Sequence, residues 1–143
     1  MPYDNDGESV SMQSALDAWE PHAIALLRDA ARTHNGFVTY TQLGDAVQEQ
    51  SDIRHKGLLT NWIGSLLARV IDHCVRAGTP QLSALCVKED GMVGEGYRHA
   101  LSAAGSRADE LTRDQLDDHA AHMRRECNRH FGAGLPPNDG ARS

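Results

Sequence analysis

With 143 residues and a net charge of −6, the chain is long enough for one compact domain with tails and too short for two well-buried cores. Its 40% apolar and 24% charged residues are the makeup of a globular protein, and an aromatic share of only 5% leaves the core to Leu, Val, Ile, Ala and Met. No apolar run approaches the length that crosses a bilayer and the start is acidic, so neither a transmembrane segment nor a secretory leader is expected.

Charge is unevenly spread. Residues 1–20 hold five acids and no base, whereas the rest is nearly neutral. Residues 1–11 therefore read as a disordered acidic tail, 12–131 as a single domain, and 132–143, with Pro136-Pro137, as a second disordered tail. No segment offers a dense basic block of the kind that marks a nucleic-acid binder by charge alone. The three cysteines, Cys74, Cys86 and Cys127, are too few and too scattered for a disulfide framework, which points to a reducing cytoplasm.

In chain order, Ile24, Leu27, Ala30 and Ala31 recur at helical spacing between Pro21, suited to a first turn, and the Asn35-Gly36 stop. Phe37 to Tyr40 reads as a short strand. Thr41 can cap a second helix that turns Leu43, Ala46 and Val47 inward, and Gln48 to Lys56 reads as loop. Thr60 can cap a third helix whose broad apolar face runs Ile63, Leu66, Leu67, Val70, Cys74, Ala77 and ends at Gly78.

Leu82 to Val87 follows as a strand, Glu89-Asp90-Gly91 as a hairpin turn, and Met92-Val93 as the returning strand, closed by Gly94-Glu95-Gly96. A last helix starts at Thr112, which has capping-box spacing to Gln115, and presents Leu116, Ala120, Met123, Cys127 and Phe131 on one stripe. This order predicts an α+β, mainly helical fold: a winged helix-turn-helix with a small β-hairpin wing and an extra C-terminal helix. The helix from Thr60 to Ala77 then takes the recognition position.

Three motifs carry a resemblance. Phe37-Val38-Thr39-Tyr40-Thr41-Gln42-Leu43-Gly44, Asn61-Trp62-Ile63-Gly64-Ser65-Leu66-Leu67 and Asp90-Gly91-Met92-Val93-Gly94-Glu95-Gly96-Tyr97 resemble, in order, three stretches of the winged-helix domain of alkylguanine-DNA alkyltransferases and alkyltransferase-like proteins. These are its opening segment, its recognition helix and its wing. The likeness covers roughly residues 37–97. It implies a duplex-binding fold in which Tyr40, the third helix and the Asp90-Gly91 wing meet DNA.

The departures from that family decide the chemistry. Where its nucleophile lies in a proline-cysteine-histidine-arginine motif, this chain has Pro80-Gln81-Leu82-Ser83, and Gln81 cannot accept an alkyl group. The nearest thiol, Cys86, has no adjacent histidine to activate it. The arginine that props open the duplex falls at Asn61, which has neither charge nor length for that task. A closer likeness is to a group of small bacterial and phage proteins of uncharacterised function, through Thr39-Tyr40-Thr41-Gln42-Leu43, Pro80 to Val87 and Val93-Gly94-Glu95-Gly96-Tyr97.

The candidate nucleic-acid contacts are Tyr40, Arg54, Lys56, Thr60, Asn61, Arg69, Arg76, Asp90 and Gly91. Arg54, His55 and Lys56, with Arg69 and Arg76, read either as a phosphate-contacting patch around a helix start or as an ordinary solvated loop and helix face. Trp62 reads as a core anchor or as an interface aromatic. His119, His122, Glu126 and His130 fall on one helical stripe that reads as a metal site or as a polar flank beside Arg124, Arg125 and Arg129.

The three cysteines read as small buried hydrophobes. Gly94-Glu95-Gly96 lacks the rest of a phosphate cradle and reads as a tight turn. No catalytic residue, metal or cofactor is therefore expected. Two functions remain: a non-enzymatic DNA-binding or DNA-associated protein with double-stranded DNA as partner, or a bacterial or phage effector that uses the same scaffold to bind a host protein.

Overall fold

A computed structural model describes residues 2–33, 36–59, 62–94, 96–103 and 110–132. Its longest element is α1, Met12–Ala31. The Ser11 side chain accepts the Ser14 N–H at 3.0 Å and so caps the first turn. The helix thus starts nine residues before Pro21, the start expected from the sequence. Pro21 lies inside it, on an exposed face where the missing N–H removes one backbone bond without exposing the core. Ala15, Leu16, Trp19, Ala23, Ile24, Leu27 and Ala31 form the buried stripe.

β2, Val38–Thr39, leads directly into α2, Tyr40–Ser51. Thr39, not Thr41, is the cap: Thr39 accepts from the Gln42 N–H while the Gln42 side chain accepts from the Thr39 N–H, a reciprocal box. The stretch expected as loop is partly ordered, since α2 runs to Ser51 and Arg54–His55 form β3. Asp52 closes α2 in the left-handed region at φ 60°.

The acidic start is not a free tail. Pro2–Tyr3 form β1, paired antiparallel with β3 in the register Pro2↔His55 and Tyr3↔Arg54, and the Asp4 carboxylate accepts the N–H groups of Asp6 and Glu8. At the other end Gly132 follows the last helix, and the expected tail over 133–143 lies outside the described residues.

α3, Ile63–Ala77, matches its apolar periodicity, burying Ile63, Leu66, Leu67, Val70, Ile71 and Cys74. Gly78 ends it at φ 70°, where a left-handed residue lets the following N–H groups bond back to the last turn. Trp62 precedes the helix without a side-chain cap, and Thr60, expected to cap it, lies outside the described residues.

The wing expectation changes most. Leu82–Leu85 form a 3-10 turn and only Cys86–Val87, β4, are extended. The reason is two-sided burial. Leu82 and Leu85, three residues apart, enter the core of α1, α2 and α3, while Ala84 and Val87, also three apart, enter a second core with Val93, Tyr97, Leu101 and Leu116. A 3-10 turn places i and i+3 on one side, which an alternating strand cannot do.

β4 then pairs in parallel with β2, in the register Val38↔Cys86 and Thr39↔Val87. Beyond it the turn forms as expected, with Gly91 at φ 84° and the Lys88 N–H bonded to the Met92 carbonyl at 2.8 Å, but Met92-Val93 make no second ladder. Instead of closing a hairpin, Gly96 opens α4, Gly96–Ala103. α5, Arg113–Phe131, starts at the Thr112–Gln115 capping box as its sequence predicts. The fold is α+β and mainly helical, with two short two-stranded sheets among the described residues.

Candidate nucleic-acid interface

Tyr40 opens α2 half-buried. Its hydroxyl meets the Gly94 backbone so closely that a Cβ at Gly94 would collide with it. Burial raises the Tyr40 phenol above its ordinary value, with the nearby Cys86 adding to the rise, while the Gly94 hydrogen bond and the Arg113 charge oppose it. The first motif and the wing motif, far apart in sequence, therefore touch at Tyr40 and Gly94.

Four residues earlier, the Asp90 carboxylate accepts the Met92 N–H at 2.9 Å and lies 3.5 Å from Lys88 Nζ. The Met92 hydrogen bond is the main cause that holds this exposed carboxyl below its usual range, with Lys88 and Arg113 adding to it. Arg113 is thus felt by both Tyr40 and Asp90. It donates to the Val93 carbonyl and, at 3.0 Å, to Asp117 Oδ1. Sequence reasoning passed over it, although a basic residue directly behind the Thr112 cap was the available signal.

Arg69 and Arg76 sit on α3, but neither is a free charge. Arg69 reaches Asp17 Oδ1 at 2.7 Å, Glu20 Oε1 at 3.3 Å and Gln13 Oε1 at 2.6 Å, all on α1. The Asp17 hydrogen bond is the largest of the effects that raise its pKa. Arg76 pairs with Asp72 one turn back at 3.2 Å. Both α3 arginines are therefore neutralised, Arg69 by α1 and Arg76 by its own helix.

Arg54 is exposed on β3, and Lys56 Nζ lies 5.5 Å from the Tyr3 ring centroid, a cation–π contact. Between them His55 faces inward, its ring 6.1 Å from Trp62 and its Nδ1 accepting the Gly57 N–H. Thr60 and Asn61, next in the candidate set, lie outside the described residues. Trp62 is a core anchor, fully enclosed against Trp19.

Gln81, at the position where the sequence resemblance would expect a nucleophile, is closed off. Gln81 is 3% exposed, its Nε2 donates to the Ile71 carbonyl, and its Oε1 is buried without a partner. Cys86 is 2% exposed and burial pushes its thiol far up, which leaves almost no thiolate at neutral pH. Cys74 and Cys127 are likewise buried.

The histidine stripe on α5 does not converge. His119 Nδ1 is 2.8 Å from the Tyr97 hydroxyl, Glu126 pairs with Arg129 at 2.8 Å, and His130 packs edge-on against Phe131. Among the described residues no group of three or more His, Cys, Asp or Glu side chains could hold a metal ion. Nor is any described helix long and apolar enough to cross a membrane.

One feature the sequence reading missed is a cleft of about 590 Å³ between the C-terminal end of α1, the start of β2 and α5. Phe37, Gly91, Arg124, Arg125 and Arg129 are among its walls. The three arginines were visible as a cluster in the second half of α5, but nothing local placed Phe37 opposite them. No family model, curated protein or solved structure matches this chain.

Proposed function

We propose that this protein is a non-enzymatic, DNA-associated protein of winged-helix, alkyltransferase-like type, with the wing reduced to the Asp90-Gly91 turn. The observation that carries the reading is the contact of Tyr40 with Gly94. It brings the opening motif and the wing motif to one place, with Arg113 and Lys88 beside the Asp90-Gly91 turn. Tyr40, Arg54, Lys56 and that turn are the contacts of this reading. The buried Gln81 and the ionisation-resistant Cys86 support binding without alkyl transfer.

A mobility-shift titration of duplex DNA against salt tests it. Binding that weakens linearly with the logarithm of salt, with a slope of about three or more phosphates, supports the proposal. Absence of any shift at about 50 mM salt overturns it.

A second reading is favoured by a specific observation, the neutralisation of both α3 arginines by acids of α1 and α3. A protein-binding effector needs no net positive surface, and Arg69 and Arg76 are spent on Asp17, Glu20 and Asp72. Leu58, 73% exposed, and the exposed Val75 add apolar surface to this scaffold. Loss of duplex binding together with a stoichiometric protein partner recovered from host extract decides for this reading.

A further inference from the structure

We infer that the cleft between α1 and α5 is a binding site for a small ligand that joins a phosphate monoester to a planar ring, the chemistry of a nucleoside monophosphate. Among the described residues the cleft shares only Gly91 with the candidate DNA contacts, so this site is independent of the duplex reading. Its volume of about 590 Å³ is in the range of small-molecule pockets.

The electrostatics select an anion. Arg124, Arg125 and Arg129 line the cleft, and no carboxylate does among the described residues. Arg129 is partly offset by Glu126 at 2.8 Å, but Arg125 has no acidic partner among the described residues. Arg124 is half-buried and keeps one donor on the Ala84 carbonyl at 3.0 Å, which leaves further N–H groups for a ligand. Desolvation is the chief cause that lowers its pKa and the adjacent Arg125 charge adds to it, against the opposing pull of Tyr97 and Asp117. A bound anion relieves the repulsion between half-buried Arg124 and its exposed neighbour Arg125. A phosphate monoester, with about −1.5 to −2 charges at neutral pH, suits several guanidinium groups better than a single carboxylate.

The remaining walls select a flat apolar body. Phe37, 55% exposed, supplies the apolar face, since Leu85 and Val87 are each only 1% exposed. An aromatic ring and guanidinium planes are both stacking surfaces for a base, and such stacking tolerates any base because each has a π-face. Little base preference is therefore expected.

The test is calorimetric titration of the full chain with adenosine monophosphate, inorganic phosphate, adenosine and a 5′-phosphorylated dinucleotide. The monophosphate should bind at least about tenfold more tightly than phosphate or adenosine alone. Arg125→Glu, at an exposed position, should weaken the monophosphate by at least about tenfold, and Phe37→Ala should weaken it while leaving phosphate unchanged. A dinucleotide that binds more tightly than the monophosphate assigns the site to strand ends, and the reverse assigns it to free nucleotides. Both results support the proposal. Equal affinity for monophosphate and phosphate, no binding of either, or wild-type affinity in both folded variants overturns it. None of these outcomes depends on whether duplex DNA shifts.

Discussion

The Trp19 and Trp62 indoles lie with ring centroids 4.5 Å apart and planes tilted by 35°, and Trp19 Nε1 donates to the Ile53 carbonyl at 2.9 Å. These are the chain's two tryptophans, and both are buried. They join α1 to the start of α3 and tie the segment after α2 to both. Trp19→Phe should cost about 1 kcal/mol by leaving the half-buried Ile53 carbonyl with only its longer bond from the Ser51 hydroxyl, at 3.4 Å. Trp62→Ala should cost about 3–5 kcal/mol. Because the rings touch, the double variant should lose less than the sum by about 0.5 kcal/mol or more in urea denaturation. Strict additivity would show that the pair does not act as a unit.

Arg69 clamps α1 to α3 through three acceptors, yet its side chain remains 28% exposed. Arg69→Ala should therefore lower stability by only about 0.5–1 kcal/mol at low salt, and the difference should shrink in about 1 M salt. Since the guanidinium is already engaged, the salt slope of any DNA binding should stay as in the wild type. A reduced slope would make Arg69 a phosphate contact.

At Gly94, a Cβ would run into the Tyr40 hydroxyl, with Tyr40 Cζ next at 3.2 Å. Gly94→Ala should destabilise by about 1–3 kcal/mol. Adding Tyr40→Phe removes the colliding atom and should recover part of that loss, as read from thermal midpoints. A double variant less stable than Gly94→Ala would disprove the contact.

Burial pushes the Cys127 thiol up to about 12, and Cys86 is raised further by the same cause. An unfolded thiol ionises near pH 8.5, so above that value the unfolded chain has lost a proton that the folded chain keeps. The stability these thiols contribute is complete below about pH 8.5 and falls as the pH rises toward 12. Cys127→Ala should flatten the alkaline limb of a stability profile. In the native chain at pH 8, thiol reagents should react only at the rate of unfolding, and rapid labelling would contradict the buried placement.

What was legible in the sequence was local. The Thr112–Gln115 box, the Gly78 stop and the Asp90-Gly91 turn depend on neighbours a few residues away, and each forms as its sequence predicts. The apolar stripe of α3 was equally clear because 3.6-residue periodicity is written into one segment. Thr39 has capping-box spacing to Gln42, but it lies in Phe37 to Tyr40, which reads as a β-rich run and so hides the cap. The 3-10 turn at Leu82–Leu85 was illegible because its cause is two cores on opposite sides.

The functional surface divides the same way. Residue types at Tyr40 and Asp90 suggested a role, but Arg69's partners lie 49 to 56 positions away and cannot be inferred from α3 alone. Phe37 and the arginines of α5 come together only in the folded chain.

The parallel register of β2 with β4 has a kinetic side. Two whole helices, α2 and α3, must be traversed before Val38 can meet Cys86, and a parallel pair has no short connection that could zip it early. The entropy of closing that long stretch is spent before its hydrogen bonds repay it. Refolding should accordingly show helical signal first and shielding of the Cys86 sulfur last, which makes this short ladder the latch that completes assembly.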